Sequence, residues 1–273
     1  MNGEAVPREV LLAPAGSPST GSPSTGSPSV AVPRYAIYYA PRPEEVLAAA
    51  ASQWLGRSAD GGQARVLKPT AIFTTGRLAE ITAEPRLYGF HGTLKPPFAL
   101  TEGAFERDLL EAVGRFAVTR RPFAVPSLQL ASLSHFLALV PDEPSPELQD
   151  LADSCIVEFD DFRRPADAAE LARRRAAGLS PRQDELLVRW GYPYLLEEWR
   201  FHLTLTGRLR DDGERAAIAE LLRRRFAGFL DRPLAVRDVC LFRQPAAGRP
   251  FTVVARFTRG GGRRVASEVW RSP

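Results

Sequence analysis

Two short segments of the chain share a pattern of residues that could support acid–base chemistry. The sequence FHGTL at residues 90–94 recurs as FHLTL at residues 201–205. The chain contains only three histidines, and two of them, His91 and His202, occupy matching positions of this repeat. A single His-x-Thr is usually a structural histidine beside a residue that favours strands. A duplicated one indicates function, so we predict that His91 and His202 are catalytic.

The paired residue types suit the opening of a cyclic phosphodiester. Two imidazoles with a pKa near ~6.5 can hold one proton between them at neutral pH, so one can accept a proton from water while the other donates to the leaving oxygen. Threonine hydroxyls can donate hydrogen bonds to the nonbridging oxygens, which predicts that Thr93 and Thr204 bind phosphate. This chemistry requires no metal or cofactor. A metal site is a poor alternative, because the histidines lack His-x-His and His-x-x-x-His spacing and no acidic residues cluster with them.

Each motif is expected to lie on a strand, whose side chains alternate between two faces. His91 and Thr93 then share a polar face, and their apolar neighbours face a core. His202 and Thr204 repeat this arrangement. Two such strands in two lobes would bring the His–Thr pairs to opposite sides of one groove.

The surrounding pattern of strands and helices predicts an α+β fold between a disordered tail at residues 1–33 and a flexible segment at residues 258–273. The tail contains the low-complexity repeat GSPSTGSPSTGSPS. We predict strands at residues 34–40, 88–94 (halted by Pro96 and Pro97), 123–131, 135–140, 199–207, 234–244 and 250–257. Helices are predicted after Pro43 and at residues 103–117, 147–158 and 214–229, with an arginine-rich helical hairpin at about 166–190 that could cover the groove.

The composition favours a cytoplasmic protein with a mildly basic surface. The net charge of +4 from 36 basic and 32 acidic residues suits anionic partners without requiring them. The two cysteines have no metal-binding spacing and suit a reducing compartment. We identify neither a signal peptide nor a membrane span, and expect no membrane partner.

The motifs resemble the two-histidine (2H) phosphoesterase superfamily, whose hallmark is a paired His-x-Thr/Ser. Four segments resemble more narrowly its branch often encoded in phosphonate-utilisation operons. These segments are YGFHGTLKPPF at 88–98, FLALV at 136–140, WGYPY at 190–194 and FHLTLTG at 201–207. The resemblance covers residues 34–257.

The resemblance implies a bilobal fold of two pseudo-symmetric lobes, with antiparallel sheets and flanking helices around a central cleft. It implies hydrolysis or opening of a cyclic phosphate or phosphodiester on a ribose-like sugar or nucleotide. Catalysis would fall to His91 and His202, and phosphate binding to Thr93 and Thr204. The operon association suggests a ribosyl phosphate or phosphonate intermediate as substrate.

Four further residues are candidate substrate contacts. Arg200 shares its strand face with His202, and Tyr192 and Tyr194 could stack on a base or sugar. Lys95 could neutralise phosphate, although we expect it to face away from His91 unless Pro96 bends the chain. Tyr88 is left out, because strand alternation places it opposite His91.

A different class of function stays open at this point. The same groove could belong to a nucleotide- or RNA-binding module without turnover, or the chain could be a structural partner in a phosphonate-processing complex. Oligomeric state, the exact substrate and the division of acid and base roles do not follow from the residues.

Overall fold

The computed structural model describes residues 32–61, 67–70, 72–261 and 263–265. The predicted disordered tail therefore lies outside the described residues, except for its last two. The described part contains ten strands and eight α-helices. The helices are α1 (Val46–Leu55), α2 (Thr75–Ile81), α3 (Ala83–Tyr88), α4 (Glu106–Val118), α5 (Pro146–Glu158), α6 (Ala168–Arg175), α7 (Pro181–Trp190) and α8 (Asp212–Phe226). The strands are β1 (Arg34–Tyr39), β2 (Gly92–Phe98), β3 (Phe123–Val125), β4 (Leu128–Leu133), β5 (Phe136–Pro141), β6 (Leu203–Thr204), β7 (Leu234–Val236), β8 (Asp238–Gln244), β9 (Thr252–Thr258) and β10 (Arg263–Val265).

Eight of these strands form one sheet in the order β10-β9-β8-β1-β2-β6-β5-β4, and β3 pairs separately with β7. All pairings between the described strands are antiparallel. One lobe contributes β10 to β2 of this order, the other contributes β6 to β4, and the β2–β6 pair joins them. The predicted α+β class with antiparallel sheets and flanking helices is confirmed.

One face of the sheet carries the main hydrophobic core. Helix α5 packs on β2, α4 on β8 and β9, and α8 on β4 and β5. Leu94, Leu203 and Leu241 are fully buried on this face. The opposite face carries a smaller cluster around Tyr38, Tyr88 and Phe242. Both motif histidines belong to this second face.

The first motif strand starts later than predicted and ends later. Residues 83–88 form α3, and β2 continues through Pro96 and Pro97 to Phe98. Prolines fit here because the β1–β2 ladder is irregular on this stretch, where Tyr35 pairs with Phe98 but Ile37 with Lys95. A proline costs little where the ladder needs no N–H donor.

The segment of the predicted helical hairpin contains α6 and α7, which we call the arm. Ser180 caps α7 by accepting a hydrogen bond from the backbone N–H of Gln183, whose own side chain bonds back to the Ser180 N–H. This capping box and Pro181 explain why the second helix starts there.

Three further elements differ in their bounds from the prediction. Pro126 separates the predicted strand at 123–131 into β3 and β4, and the predicted strand at 199–207 is reduced to Leu203–Thr204. Within the predicted flexible segment 258–273, Arg263–Val265 pair with β9 as strand β10. Both cysteines are buried free thiols, and no helix among the described residues is long and apolar enough to cross a bilayer.

Candidate functional site

The two motifs lie on neighbouring strands, in a register that brings both histidines to one face. Gly92 of β2 pairs with Leu203 of β6 in antiparallel orientation. Extended by one residue each way, this register sets His91 opposite Thr204 and Thr93 opposite His202. Diagonal neighbours across such a pair lie about 7–8 Å apart, with their Cβ atoms somewhat closer. The two imidazoles therefore flank one small patch of the sheet, with a hydroxyl beside each.

This arrangement is more compact than the expected groove with one motif on each wall. The lobes are joined by main-chain pairing at the motifs, so the histidines occupy one sheet surface. Gly92 permits this packing, because a Cβ there would lie 2.3 Å from Cε2 of Phe201.

Each imidazole is held in the same way. The Nδ1 of His91 lies 2.9 Å from the carbonyl oxygen of Gly89, and the Nδ1 of His202 lies 2.8 Å from that of Arg200. A carbonyl oxygen can only accept, so each Nδ1 carries a hydrogen and donates it. In the neutral imidazoles both Nε2 atoms then have a free lone pair, which leaves them able to accept a proton.

The site favours neutral imidazoles when it holds no anion. Burial lowers the pKa of His91 from its ordinary 6.5 to about 4, the hydrogen bond to Gly89 opposes this shift, and the neighbouring His202 adds to it. Burial also lowers the pKa of His202, again opposed by its backbone hydrogen bond. Because the His202 charge acts on His91, the two rings are electrostatically coupled. A bound anion would raise both pKa values by stabilising the imidazolium forms.

Aromatic side chains enclose the His91 side of the patch. The His91 ring centroid lies 4.1 Å from that of Tyr38 and 5.6 Å from that of Tyr88. Phe242 lies further out at 6.3 Å. On the other side, Phe136 lies 5.7 Å from His202.

Tyr88 therefore belongs to the site, and its exclusion by strand alternation was wrong. Residue 88 ends α3, and the chain turns at Gly89 with φ of 76° and ψ of 177° before β2 begins. Alternation does not apply across a helix end and such a turn. Sequence reasoning also missed Tyr38, whose small neighbours Ala36 and Ala40 on the same strand face were the available signal.

Thr93 and Thr204 are both half-buried on the histidine face, as predicted. The backbone beneath Thr93 is fixed, since the indole Nε1 of Trp199 donates to its carbonyl oxygen at 3.0 Å. Trp54 likewise donates to the carbonyl oxygen of Leu205, next to the second motif, at 2.7 Å. One tryptophan therefore holds each motif strand.

Lys95 lies in the core, away from the candidate site. We expected it to face away from His91 in a straight strand, but alternation alone would put residues 91, 93 and 95 on one face, so its orientation depends on a break in the strand. The register shift between Ile37–Lys95 and Tyr38–Thr93 is a bulge that reverses this alternation. Its Nζ donates to the carbonyl oxygen of Ile156 at 2.9 Å and lies 3.6 Å from Asp160. Burial lowers the pKa of Lys95 to about 8, against the opposing effect of Asp160.

The other three candidate substrate contacts, Arg200, Tyr192 and Tyr194, each contact other groups of the protein. Arg200 is exposed, and its Nη1 donates to the carbonyl oxygens of Glu197 and Trp199 in its own loop. Tyr194 is only 7% exposed and packs edge-on against Tyr192. Tyr192 is half-buried, with the guanidinium of Arg174 5.2 Å from its ring.

The described residues contain no group of three or more histidine, cysteine, aspartate or glutamate side chains that could hold a metal ion.

Two solved structures are similar in overall arrangement to this chain. One is described as a phosphoesterase, with 16% sequence identity and a TM-score of 0.40, covering 84% of this chain and 98% of its own. The other is E. coli LigT in complex with NADP+, with 15% identity and a TM-score of 0.41, covering 84% of this chain and 99% of its own.

Two curated relatives share more of the sequence, and both are named ribose 1,5-bisphosphate phosphokinase PhnN. The protein from Janthinobacterium sp. (strain Marseille) is 36% identical over 251 residues, which cover 91% of this chain and 55% of the relative. The protein from Laribacter hongkongensis (strain HLHK9) is 35% identical over 222 residues, covering 80% and 50%. The chain spans about half the length of these relatives.

A family model matches residues 93–252, which is more than half of the chain and includes the second motif. By this match, the chain belongs to the family described as "Protein of unknown function (DUF1045)".

Proposed function

We propose that this protein is a metal-independent phosphoesterase that opens a cyclic phosphate or phosphodiester with His91 and His202 as its acid–base pair. The observation that carries this proposal is the β2–β6 register. It places two imidazoles with donating Nδ1 atoms diagonally on one face, each beside a threonine hydroxyl.

The reaction follows from the protonation states that the site favours. The unliganded site holds neutral imidazoles, and a bound phosphodiester anion draws one proton onto the pair. Water attacks phosphorus as the neutral Nε2 accepts its proton, and a new P–O bond forms. The P–O bond to the sugar breaks as the protonated Nε2 donates to the leaving oxygen. Hydrogen bonds from Thr93 and Thr204 stabilise the charge on the nonbridging oxygens.

A phosphorylated ribose or nucleotide is the proposed class of substrate. The curated relatives are named for an enzyme that acts on ribose 1,5-bisphosphate. This chain has no Gly-x4-Gly-Lys-Ser/Thr loop of the kind that cradles phosphates in many kinases. We infer that any kinase activity of those relatives resides in the half that this chain does not match. A role in phosphonate metabolism is consistent with the relatives' names.

The test is hydrolysis of 2′,3′-cyclic nucleotides and a ribose cyclic phosphate by the purified chain in excess EDTA. We expect turnover to continue in the chelator. His91→Asn and His202→Asn should each lower kcat by about 10²–10⁴-fold. Circular dichroism should show that both variants keep the wild-type fold.

The surface residue Arg107 provides a matched control, since it lies in the first turn of α4, the helix that packs on β8 and β9, and is exposed. Arg107→Gln should keep full turnover. Turnover that stops with EDTA, or a double histidine variant that works as well as wild type, would refute the proposal.

A further inference from the structure

Strand β6 is too short to position the second motif by main-chain pairing alone. It consists of Leu203 and Thr204, with one residue pair to β2 and two to β5. Strands in globular proteins are usually about 3–10 residues long. His202 precedes β6 and lies outside its ladder. The placement of its imidazole relative to β2 therefore depends on further contacts.

Trp199 supplies one such contact across the β2–β6 pair. Its indole Nε1 donates a hydrogen bond to the carbonyl oxygen of Thr93 in the first motif, at 3.0 Å. Trp199 lies only three residues before His202. The next residue, Arg200, provides the carbonyl oxygen to which His202 donates from Nδ1. A short stretch of backbone thus connects the first motif, through the indole, to the second imidazole.

The same stretch is held in the core by its aromatic rings. Trp199 and Phe201 are both buried in the main core, with their ring centroids 6.1 Å apart. Phe201 also packs against Tyr39 of β1, at 5.9 Å between centroids. His202 lies on the opposite face of the sheet. A shift of Trp199 in the core therefore shifts the backbone that carries the imidazole.

Trp54 holds the other end of the second motif from the other lobe. It lies on α1, and its Nε1 donates to the carbonyl oxygen of Leu205 at 2.7 Å. Leu205 follows Thr204, the residue at which β6 ends. Beyond that point, the carbonyl oxygen of Leu137 accepts from the N–H groups of both Leu205 and Thr206. One indole thus acts before β6 and the other after it.

From these contacts we propose that Trp199 and Trp54 are positioning residues that set the separation and orientation of the two imidazoles across the β2–β6 pair. The inference rests on the proposed function. Both indoles lie in the core, so neither contacts the phosphate. Each acts through the backbone of a motif, Trp199 on His202 and Trp54 on Thr204. A misplacement of about 1 Å at a reacting group can lower a rate by about 10²-fold.

Removing only the indole N–H tests this role. Replacing Trp199 or Trp54 by 3-benzothienylalanine keeps the shape of the ring but puts sulfur in place of the N–H group. For 2′,3′-cyclic AMP, kcat should fall about 10- to 100-fold in each variant, while KM stays within about threefold. The same replacement at Trp190 is the matched control. Trp190 ends α7, with the guanidinium of Arg189 4.2 Å from its ring, and its variant should behave as wild type.

A second measurement reports the position of the imidazole without turnover. In wild type, titration by NMR should show that inorganic phosphate raises the pKa of both histidines, since the anion stabilises both imidazolium forms. In the Trp199 variant, the rise at His202 should be about twofold smaller or less, and the rise at His91 should persist. A merely structural role of the ring would leave both rises as in wild type, because the replacement preserves its packing.

The two readouts separate this inference from the proposed function. A wild type that hydrolyses no cyclic nucleotide would contradict the proposed function, and the phosphate titration would still decide the role of Trp199. Histidines that do not respond to phosphate in wild type would contradict both. An unchanged His202 response in the Trp199 variant, or an equal loss of kcat in the Trp190 variant, would overturn the positioning role.

Discussion

At the scale of residues, the backbone decides which imidazole nitrogen carries the hydrogen and which keeps a free lone pair. Each histidine donates from Nδ1 to the carbonyl oxygen two residues earlier, at 2.9 Å for His91 and 2.8 Å for His202. The orienting group is therefore part of the same short segment as the histidine. This differs from sites in which a distant carboxylate orients the ring. Such a segment can be duplicated together with its function.

The threonine hydroxyls should matter for turnover and little for folding. Thr93→Val and Thr204→Val each remove a proposed donor to the phosphate, and we expect kcat to fall by about 10²-fold, as for the loss of one oxyanion donor. Thr206→Val is the contrasting control. Thr206 is buried, and its hydroxyl accepts from the N–H of Leu137 at 2.9 Å. Its loss should lower the free energy of unfolding by about 1–3 kcal/mol and leave kcat unchanged. A loss of stability with unchanged kcat in the Thr93 and Thr204 variants would contradict their role in phosphate binding.

The depressed histidine pKa values predict a loss of stability in acid. With a folded pKa of about 4 against an ordinary 6.5, His91 binds fewer protons in the native than in the unfolded state between these values. The free energy of unfolding therefore rises with pH through this window and falls on acidification. Urea denaturation at pH 7 and pH 5 should show a smaller pH difference in His91→Asn than in wild type, on the order of 1 kcal/mol. An identical difference in both proteins would contradict the buried neutral imidazole.

At the scale of elements, Gly89 connects the end of α3 to the orientation of His91. Its φ of 76° with ψ of 177° is a conformation that essentially only glycine adopts. A Cβ there would also lie 2.6 Å from that of Ala59. Gly89→Ala should destabilise the fold by about 1–3 kcal/mol. It should also lower kcat about tenfold or more, because its carbonyl oxygen would move.

Gly103→Ala is the matched control for this substitution. Gly103 also has a positive φ, of 79°, but a Cβ there meets nothing within 4 Å. We expect some loss of thermal stability and an unchanged kcat. Equal effects of both substitutions on kcat would show that Gly89 has no part in positioning His91.

The sequence repeat predicts that each motif histidine shares a strand face with its threonine, because strand alternation is a local property. Helix capping is equally local, and the capping box at Ser180 sets the start of α7. The bulge that turns Lys95 into the core depends on the partner strand β1, so no pattern within β2 reveals it. Tyr38 lies far from either motif in sequence and reaches the site only through the β1–β2 pairing.

At the scale of the whole molecule, Asp160 ties the arm to the core. Its carboxylate contacts Lys95 at 3.6 Å, Arg163 at 2.7 Å and Arg189 at 3.4 Å. Lys95 thus has a structural partner on the face opposite the histidines. Arg189 belongs to α7, so the same carboxylate also contacts the arm.

Substitution of Asp160 and substitution of Lys95 should therefore change the free energy of unfolding by different amounts. Asp160→Asn leaves Lys95 without its counter-charge and should cost about 3–5 kcal/mol in the free energy of unfolding. Lys95→Met leaves Asp160 paired with two arginines and should change it by about 1 kcal/mol or less. Lys95→Met should also keep full turnover on 2′,3′-cyclic nucleotides. A large loss of kcat in Lys95→Met would return this residue to the list of substrate contacts.

The diagonal placement of the histidines across the β2–β6 pair has a stereochemical consequence. A half-turn about the centre of that pair exchanges the two imidazoles and the two hydroxyls, so this inner set of groups cannot distinguish the two ester oxygens of a cyclic phosphate. Regioselectivity must then come from side chains that differ between the two sides of the β2–β6 pair. Among the described residues the two sides differ in this way: Tyr38 and Tyr88 lie against His91, whereas Phe136 lies near His202. Substitutions at Tyr38, Tyr88 or Phe136 should therefore change which phosphomonoester isomer is formed, while His91 and His202 remain the acid–base pair.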